Sequence, residues 1–254
     1  MMNKRELLLQ DLLRYSPHDQ ELPRYLEEHS NLPGPRGNLE LAFAFGDYIA
    51  GKYSSDGSAC RQLCRQLISI DSDAAPVNSP KEFLPFCGIV AAGRIGGIDK
   101  SEFRISLDTI RRMAVDARWR IREAVAMALQ ELLGANPEAV IQEFYEWLNR
   151  DNPLEMRAIV AGLADPPLLK NAQLARQALE FHKIILNRIV LFSNRKTVNY
   201  KILEKGLGYT LSVVIAAIPD EVFANLAELG RRSDLSIQKI IKENMKKNRL
   251  KRLA

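Results

Sequence analysis

The sequence predicts an all-helical protein. Apolar residues recur at three- and four-residue spacing along almost the whole chain, whereas the alternating patterns typical of strands are scarce. Of the 254 residues, 46% are hydrophobic and 26% are charged, a balance that excludes a disordered or collagen-like chain. The longest uncharged run, residues 206–219, is too short to span a bilayer. We therefore expect a soluble protein without a membrane partner.

Proline, glycine and aspartate clusters divide the chain into helical segments of about 12–20 residues. The segment from Ile184 to Phe192 is rich in Ile, Val, Leu and Phe and could be a strand, but the sequence offers no obvious partner strand for it. We therefore predict that it forms a buried helix. The predicted breaks fall at residues 32–37, 71–80, 93–101, 134–137, 151–153 and 165–167.

A repeated spacing links the starts of four predicted helices. Residues 116–122 and 151–157 both place an Asp six residues before an Arg, with a large apolar residue at the third step. Weaker echoes begin at Asn199 and Asp234. An Asp at a helix start can cap the exposed backbone N–H groups. The spacing of the four starts suits one pair of antiparallel helices per repeat.

This spacing resembles the HEAT repeat. The resemblance implies an α-α superhelix, a HEAT-like α-solenoid of stacked antiparallel helix pairs whose inner helices line a concave binding groove. Residues 80–254 fit this interpretation and end in a basic helix. Residues 1–79 lack such an Asp and Arg pair, so we expect an N-terminal helical cap or divergent repeats there. We predict that the two parts form one continuous domain.

Trp119 and Glu123 form the most unusual pair of the predicted helix that begins near residue 117. On a helical wheel they lie about 40° apart, on the face opposite the apolar stripe from Ile121 to Leu132. On an inner helix both side chains would point into the groove. The alternatives are that Trp119 covers a neighbouring helix and that Glu123 is a solvated charge.

Residues 118–124 also resemble the HEAT-like-repeat DNA glycosylases that excise alkylated purines. That resemblance implies that Glu123 is the carboxylate that stabilises positive charge on the deoxyribose and that Trp119 is a groove aromatic. It also implies that Arg157 contacts phosphate and that Tyr209, in the segment 205–209, is a second groove aromatic. Arg120 and Lys205 are the further candidate DNA contacts. If the protein is an enzyme, we expect a DNA N-glycosylase that releases alkylated purines.

Each of these residues has a structural alternative. Arg122 and Arg157 occupy the repeat's own Arg position, where Asp116 or Asp151 could hold them in a ladder between repeats. Tyr209 could be buried with a satisfied hydroxyl group. The alternative function is a non-enzymatic scaffold whose concave face binds another protein rather than duplex DNA.

The charge distribution favours local contacts over a uniformly basic body. The net charge is +5, but the segment from Lys239 to Ala254 carries seven basic residues and one acidic residue. This basic end is either a phosphate-binding arm or a solubilising cap. Three scattered histidines and three cysteines show no metal, nucleotide or triad spacing, so we expect no cofactor and no metal. We expect Cys60, Cys64 and Cys87 to be buried, inert thiols of a cytoplasmic protein.

Overall fold

The chain is all-α, as predicted. A computed structural model describes residues 3–222 and 234–251, and no strand occurs in these ranges. The chain divides into two compact units, residues 1–136 and 137–254. The first contains α1 (Lys4–Leu12), α2 (Glu21–Glu28), α3 (Leu39–Ile68), α4 (Phe83–Ile98), α5 (Lys100–Met113) and α6 (Trp119–Ala135). The second contains α7 (Pro137–Leu148), α8 (Pro153–Leu163), α9 (Ala172–Ile189), α10 (Val198–Ala217), α11 (Leu235–Met245) and α12 (Asn248–Lys251).

Helix α4 is the centre of the first unit, where it packs against α3, α5 and α6. The predicted break at residues 93–101 is wrong in its first half, because α4 continues to Ile98. Gly93 does not end the helix but allows close packing: a Cβ there would lie 2.6 Å from the Cα of Ala128 on α6. The chain turns at Asp99, which caps α5 by accepting a hydrogen bond from the Ser101 N–H.

Helix α10 has the same central role in the second unit. It packs against α8, α9 and α11, and α9 also packs against α8. In both units, therefore, a helix contacts the next helix and the next but one, an arrangement typical of stacked helical repeats. In the first unit α3 packs against α4 across residue 79, and the division into residues 1–79 and 80–254 stays a prediction.

Aspartate caps only one of the repeat's predicted helix starts where it was expected. Asp234 caps α11, where its carboxylate accepts from the N–H groups of Ser236 and Ile237. At α8 the prediction is wrong by one residue, because Asn152 is the cap and Asp151 precedes it. At α6 Asp116 lies two residues before the N-cap residue Arg118. Its carboxylate binds the backbone N–H and the guanidinium of Arg118 and does not cap the N–H groups of the helix itself.

The predicted buried helix from Ile184 to Phe192 is confirmed for most of its length. Helix α9 ends at Ile189, and its inner side buries Ile185 and Leu186. Beyond the helix the prediction is wrong, because Leu191 lies in a loop with its side chain in solvent. None of the helices in residues 3–222 and 234–251 is long and apolar enough to cross a membrane.

Candidate nucleic-acid interface

Trp119 and Glu123 both lie at the surface of α6, one turn apart. Trp119 is 43% exposed, and Glu123 is exposed as well. The opposite side of the helix is buried in the core of the first unit, including Val125 and Leu129. The wheel prediction that the pair lies opposite the apolar stripe is therefore confirmed, whereas their roles toward DNA stay predictions.

Arg120 is enclosed beneath the Trp119 ring. Its guanidinium carbon lies 4.3 Å from the indole centroid, a cation–π contact. One terminal nitrogen donates to Glu82 Oε2 at 3.1 Å, and the other donates to the carbonyl of Gly34 and to Asn78 Oδ1. Because Arg120 is only 5% exposed, it has little surface to offer a phosphate. The burial and the hydrogen bonds of Arg120 support a structural role, and its expected contact with DNA stays a prediction.

Two neighbouring arginines are also used inside the first unit. Arg118 pairs with the carboxylate of Asp116 and donates from Nη1 to three backbone carbonyls, those of residues 70, 71 and 75. Arg122 donates to the carbonyls of Asp116 and Ala117. The arginine-rich segment therefore mainly fixes the start of α6.

Tyr209 lies on the solvent side of α10 in the second unit and is 49% exposed. The alternative in which it is buried is wrong. Its hydroxyl oxygen accepts a hydrogen bond from Arg249 Nη2 at 2.7 Å, and the Arg249 guanidinium carbon lies 4.9 Å from the ring centroid. Lys247 Nζ lies 5.5 Å from the same centroid. The ring thus holds two cations of the C-terminal segment beside it.

The amphipathic pattern of α10 places Lys201, Lys205 and Tyr209 on one line. They are four residues apart and exposed, so they lie on one face of the helix. The inner face buries Leu203, Leu207 and others along the same helix. Lys201, Lys205 and Tyr209 form, together with the half-buried Lys247 and Arg249, a surface that we call the Tyr209 face.

Asn244 fixes the C-terminal helices to α10. It is almost fully buried, and its side-chain oxygen accepts from the Ser212 N–H at 2.7 Å while its nitrogen donates to the Leu207 carbonyl at 2.8 Å. These bonds hold α11 against the middle of α10. The chain that follows therefore brings Lys247 and Arg249 to the Tyr209 ring.

Arg157 lies against the same helix. A Cβ at Gly206 would lie 3.2 Å from Arg157 Cγ, so the glycine lets the half-buried Arg157 approach α10 next to Lys205. Asp151, the predicted ladder partner of Arg157, pairs with Arg188 at 2.7 Å. The second unit thus places Arg157 beside the Tyr209 face, which includes Lys205. The other candidate residues, Trp119, Arg120 and Glu123, belong to the first unit.

The Tyr209 face is dominated by positive charge. Two acidic residues on α10 and α11 are themselves paired: Glu204 with Lys239, and Glu243 with Lys246. The hydrogen bond from Lys246 lowers the pKa of the Glu243 carboxyl group. Sequence reasoning identified the basic C-terminal run but missed its contact with Tyr209. Arg249 and Tyr209 are 40 residues apart, and no local sequence pattern indicates such a contact.

The cysteines and other ligand-type residues form no reactive cluster in the described ranges. Cys60, Cys64 and Cys87 are free and buried, as predicted, and burial raises the pKa of each thiol. Among residues 3–222 and 234–251, no group of three or more His, Cys, Asp or Glu side chains could hold a metal ion.

No protein-family model matches the chain, and no curated protein matches it either. Among solved structures it is similar to an engineered protein with 16% identity and a TM-score of 0.36, over 99% of this chain and 98% of that chain. It is also similar to a designed armadillo repeat protein with 17% identity and a TM-score of 0.36, over 95% and 98% of the two chains. Such low TM-scores establish no shared fold, so the fold rests on the helix packing described above.

Proposed function

We propose that this helical repeat protein binds the phosphate backbone of duplex DNA through the Tyr209 face. The observation that supports this proposal is the arrangement of two lysines of α10 and two C-terminal cations around one half-exposed tyrosine. Phosphate contacts from Lys and Arg supply most of the sequence-independent affinity of proteins for DNA.

The fixed position of these cations also supports the proposal. Arg249 is oriented by its hydrogen bond to the Tyr209 hydroxyl group, and the helix that carries it is fixed through Asn244. A cation that is already oriented loses less side-chain entropy when it contacts a phosphate. Arg157, which approaches α10 at Gly206, is the further candidate phosphate contact beside this face.

The test is the affinity of the full chain for a fluorescently labelled DNA duplex, measured by anisotropy. Charge-assisted hydrogen bonds contribute about 1.5–3 kcal/mol each, so we expect Lys247→Gln with Arg249→Gln to weaken binding at least about tenfold. The matched control is Lys100→Gln with Lys170→Gln, which removes two exposed cations elsewhere. Equal affinity of the two double variants would contradict the proposal. No measurable affinity for DNA would favour the protein-binding scaffold.

A second candidate function is the excision of alkylated purines at the Trp119 and Glu123 pair. The observation in its favour is that this aromatic ring and carboxylate stay at the surface one turn apart. Breaking the N-glycosidic bond builds positive charge on the sugar, which a nearby carboxylate stabilises. We expect the release of methylated purines from duplex DNA to be lost in Glu123→Gln and kept in Glu138→Gln. Absence of release by the unmodified chain would eliminate this function.

A further inference from the structure

Three aliphatic side chains of the second unit protrude into solvent far more than any other large apolar residue in the described ranges. Leu191 is 80% exposed, Leu235 is 79% exposed and Val198 is 71% exposed, whereas the next values are near one half. Single exposed apolar residues are common on protein surfaces, but a group of them at one place marks an interaction site. We call these three residues the apolar tip.

One arginine connects the segments that carry the apolar tip. Arg195, in the loop between α9 and α10, donates to the Val190 carbonyl and pairs with Asp234 at 2.6 Å. Leu191 follows Val190, and Leu235 follows Asp234. Val198 begins α10 three residues after Arg195. The three protruding side chains therefore belong to the same end of the second unit.

The apolar tip is held outward by contacts on its inner side. The Phe192 ring packs edge-on against Tyr200, with 5.8 Å between the centroids. Asp234 caps α11 immediately before Leu235. These two contacts fix the backbone next to Leu191 and Leu235. The segments from which the two leucines protrude are therefore anchored to the second unit.

Basic side chains outnumber acidic ones among the described residues next to the apolar tip. Leu191 and Phe192 line a hollow of about 100 Å³ together with Asp151 and Arg188, which places the loop between α7 and α8 beside it. The two acidic side chains at this end are paired, Asp151 with Arg188 and Asp234 with Arg195. Exposed Arg150 and Lys196 add further positive charge. The charged side chains named here therefore leave a positive excess at the end of the unit that carries the apolar tip.

We propose that the apolar tip docks the protein on an anionic membrane surface. Leu191, Val198 and Leu235 would enter the boundary between headgroups and acyl chains, while Arg150 and Lys196 contact lipid phosphates. The positive excess at this end of the unit favours anionic lipids over neutral ones. Leu191 lies in a loop, whereas Val198 and Leu235 begin α10 and α11, and such separate side chains can each enter a fluid lipid surface. This proposal replaces the expectation of no membrane contact, which rested on the lack of a spanning segment. It does not depend on DNA binding.

The test is co-sedimentation of the full chain with vesicles of equal parts phosphatidylcholine and phosphatidylserine. We expect binding to these vesicles and much weaker binding to phosphatidylcholine alone. Each of Leu191→Ser and Leu235→Ser is expected to weaken partitioning roughly tenfold. Lys196→Gln is expected to weaken it about fivefold.

The matched control is Leu7→Ser with Leu13→Ser, which removes two half-exposed leucines of the first unit and is expected to bind like the unmodified chain. The proposal would be overturned if the Leu191→Ser and Leu235→Ser variants bound the anionic vesicles as well as the unmodified chain does, because the attraction would then be electrostatic alone. No binding to the anionic vesicles would also overturn it. The proposal would also be overturned if the chain associated with itself in solution and the serine substitutions abolished that association. The partner of the apolar tip would then be a second copy of the chain.

Discussion

Removing Arg120 should destabilise the first unit strongly, because this arginine is half of a buried ion pair. Glu82 is fully buried, and its Oε2 accepts from Arg120 and from the Asn78 N–H at 2.7 Å. Arg120→Met would leave that carboxylate without its counter-charge. Breaking a buried pair from one side costs about 3–5 kcal/mol, and we expect a loss of this size in the free energy of unfolding.

The double variant Arg120→Met with Glu82→Gln tests the origin of that loss. Without the buried negative charge, the penalty for the missing guanidinium should fall, so the two substitutions together should cost about 1–3 kcal/mol less than the sum of the single variants. Urea unfolding followed by helical circular dichroism measures all three variants. Arg112→Met, at an exposed position of α5, should change stability by less than about 0.5 kcal/mol.

The reasoning would be refuted if Arg120→Met cost less than about 1 kcal/mol, as expected of an exposed pair. Unchanged stability together with weaker binding to DNA would favour Arg120 as a DNA ligand. Strong destabilisation with strictly additive variants would show that Arg120 acts through Gly34 and Asn78 and not through Glu82.

Three further outcomes are expected from positions in the packed cores. Gly93→Ala should destabilise the protein by about 1–3 kcal/mol in urea unfolding, because its Cβ would collide with α6; Gly51→Ala, with nothing within 4 Å of the added atom, should instead stabilise it by about 0.5–1 kcal/mol. Burial lowers the pKa of His182 to about 4, so the unfolded chain binds more protons below about pH 6.5. As the pH falls from about 6.5 to about 4, the free energy of unfolding should therefore drop by roughly 3 kcal/mol more in the unmodified chain than in His182→Gln. A difference in stability between the two proteins that does not change with pH would contradict this. Asn244→Leu should cost about 1–3 kcal/mol, because it removes the buried hydrogen bonds that join Asn244 on α11 to Ser212 and Leu207 of α10; a negligible loss would show that these bonds do not hold the two helices together.

The sequence predicted helix existence well, because proline and capping residues act locally. The breaks near residues 136, 152 and 166 fall where α6, α7 and α8 end. Gly93 was misinterpreted for a physical reason: a glycine that ends a helix and one that lets two helices touch look alike in sequence. Its role depends on Ala128, which lies on another helix.

The candidate site was predictable only in part. The helical wheel correctly placed Trp119 and Glu123 on the surface, since their orientation follows from the core stripe of α6 alone. The wheel could not show that Arg120 has a buried carboxylate opposite it, because Glu82 belongs to a separate short helix. For the same reason, the contact between Tyr209 and Arg249 required the tertiary structure.

The salt dependence of duplex affinity tests the central claim, phosphate binding by the Tyr209 face, most directly. With four cations on this face, the logarithm of the association constant should fall with the logarithm of salt concentration with a slope of about −3 to −4. Lys247→Gln with Arg249→Gln should make that slope shallower by about 2. A slope that this double variant leaves unchanged would contradict the account.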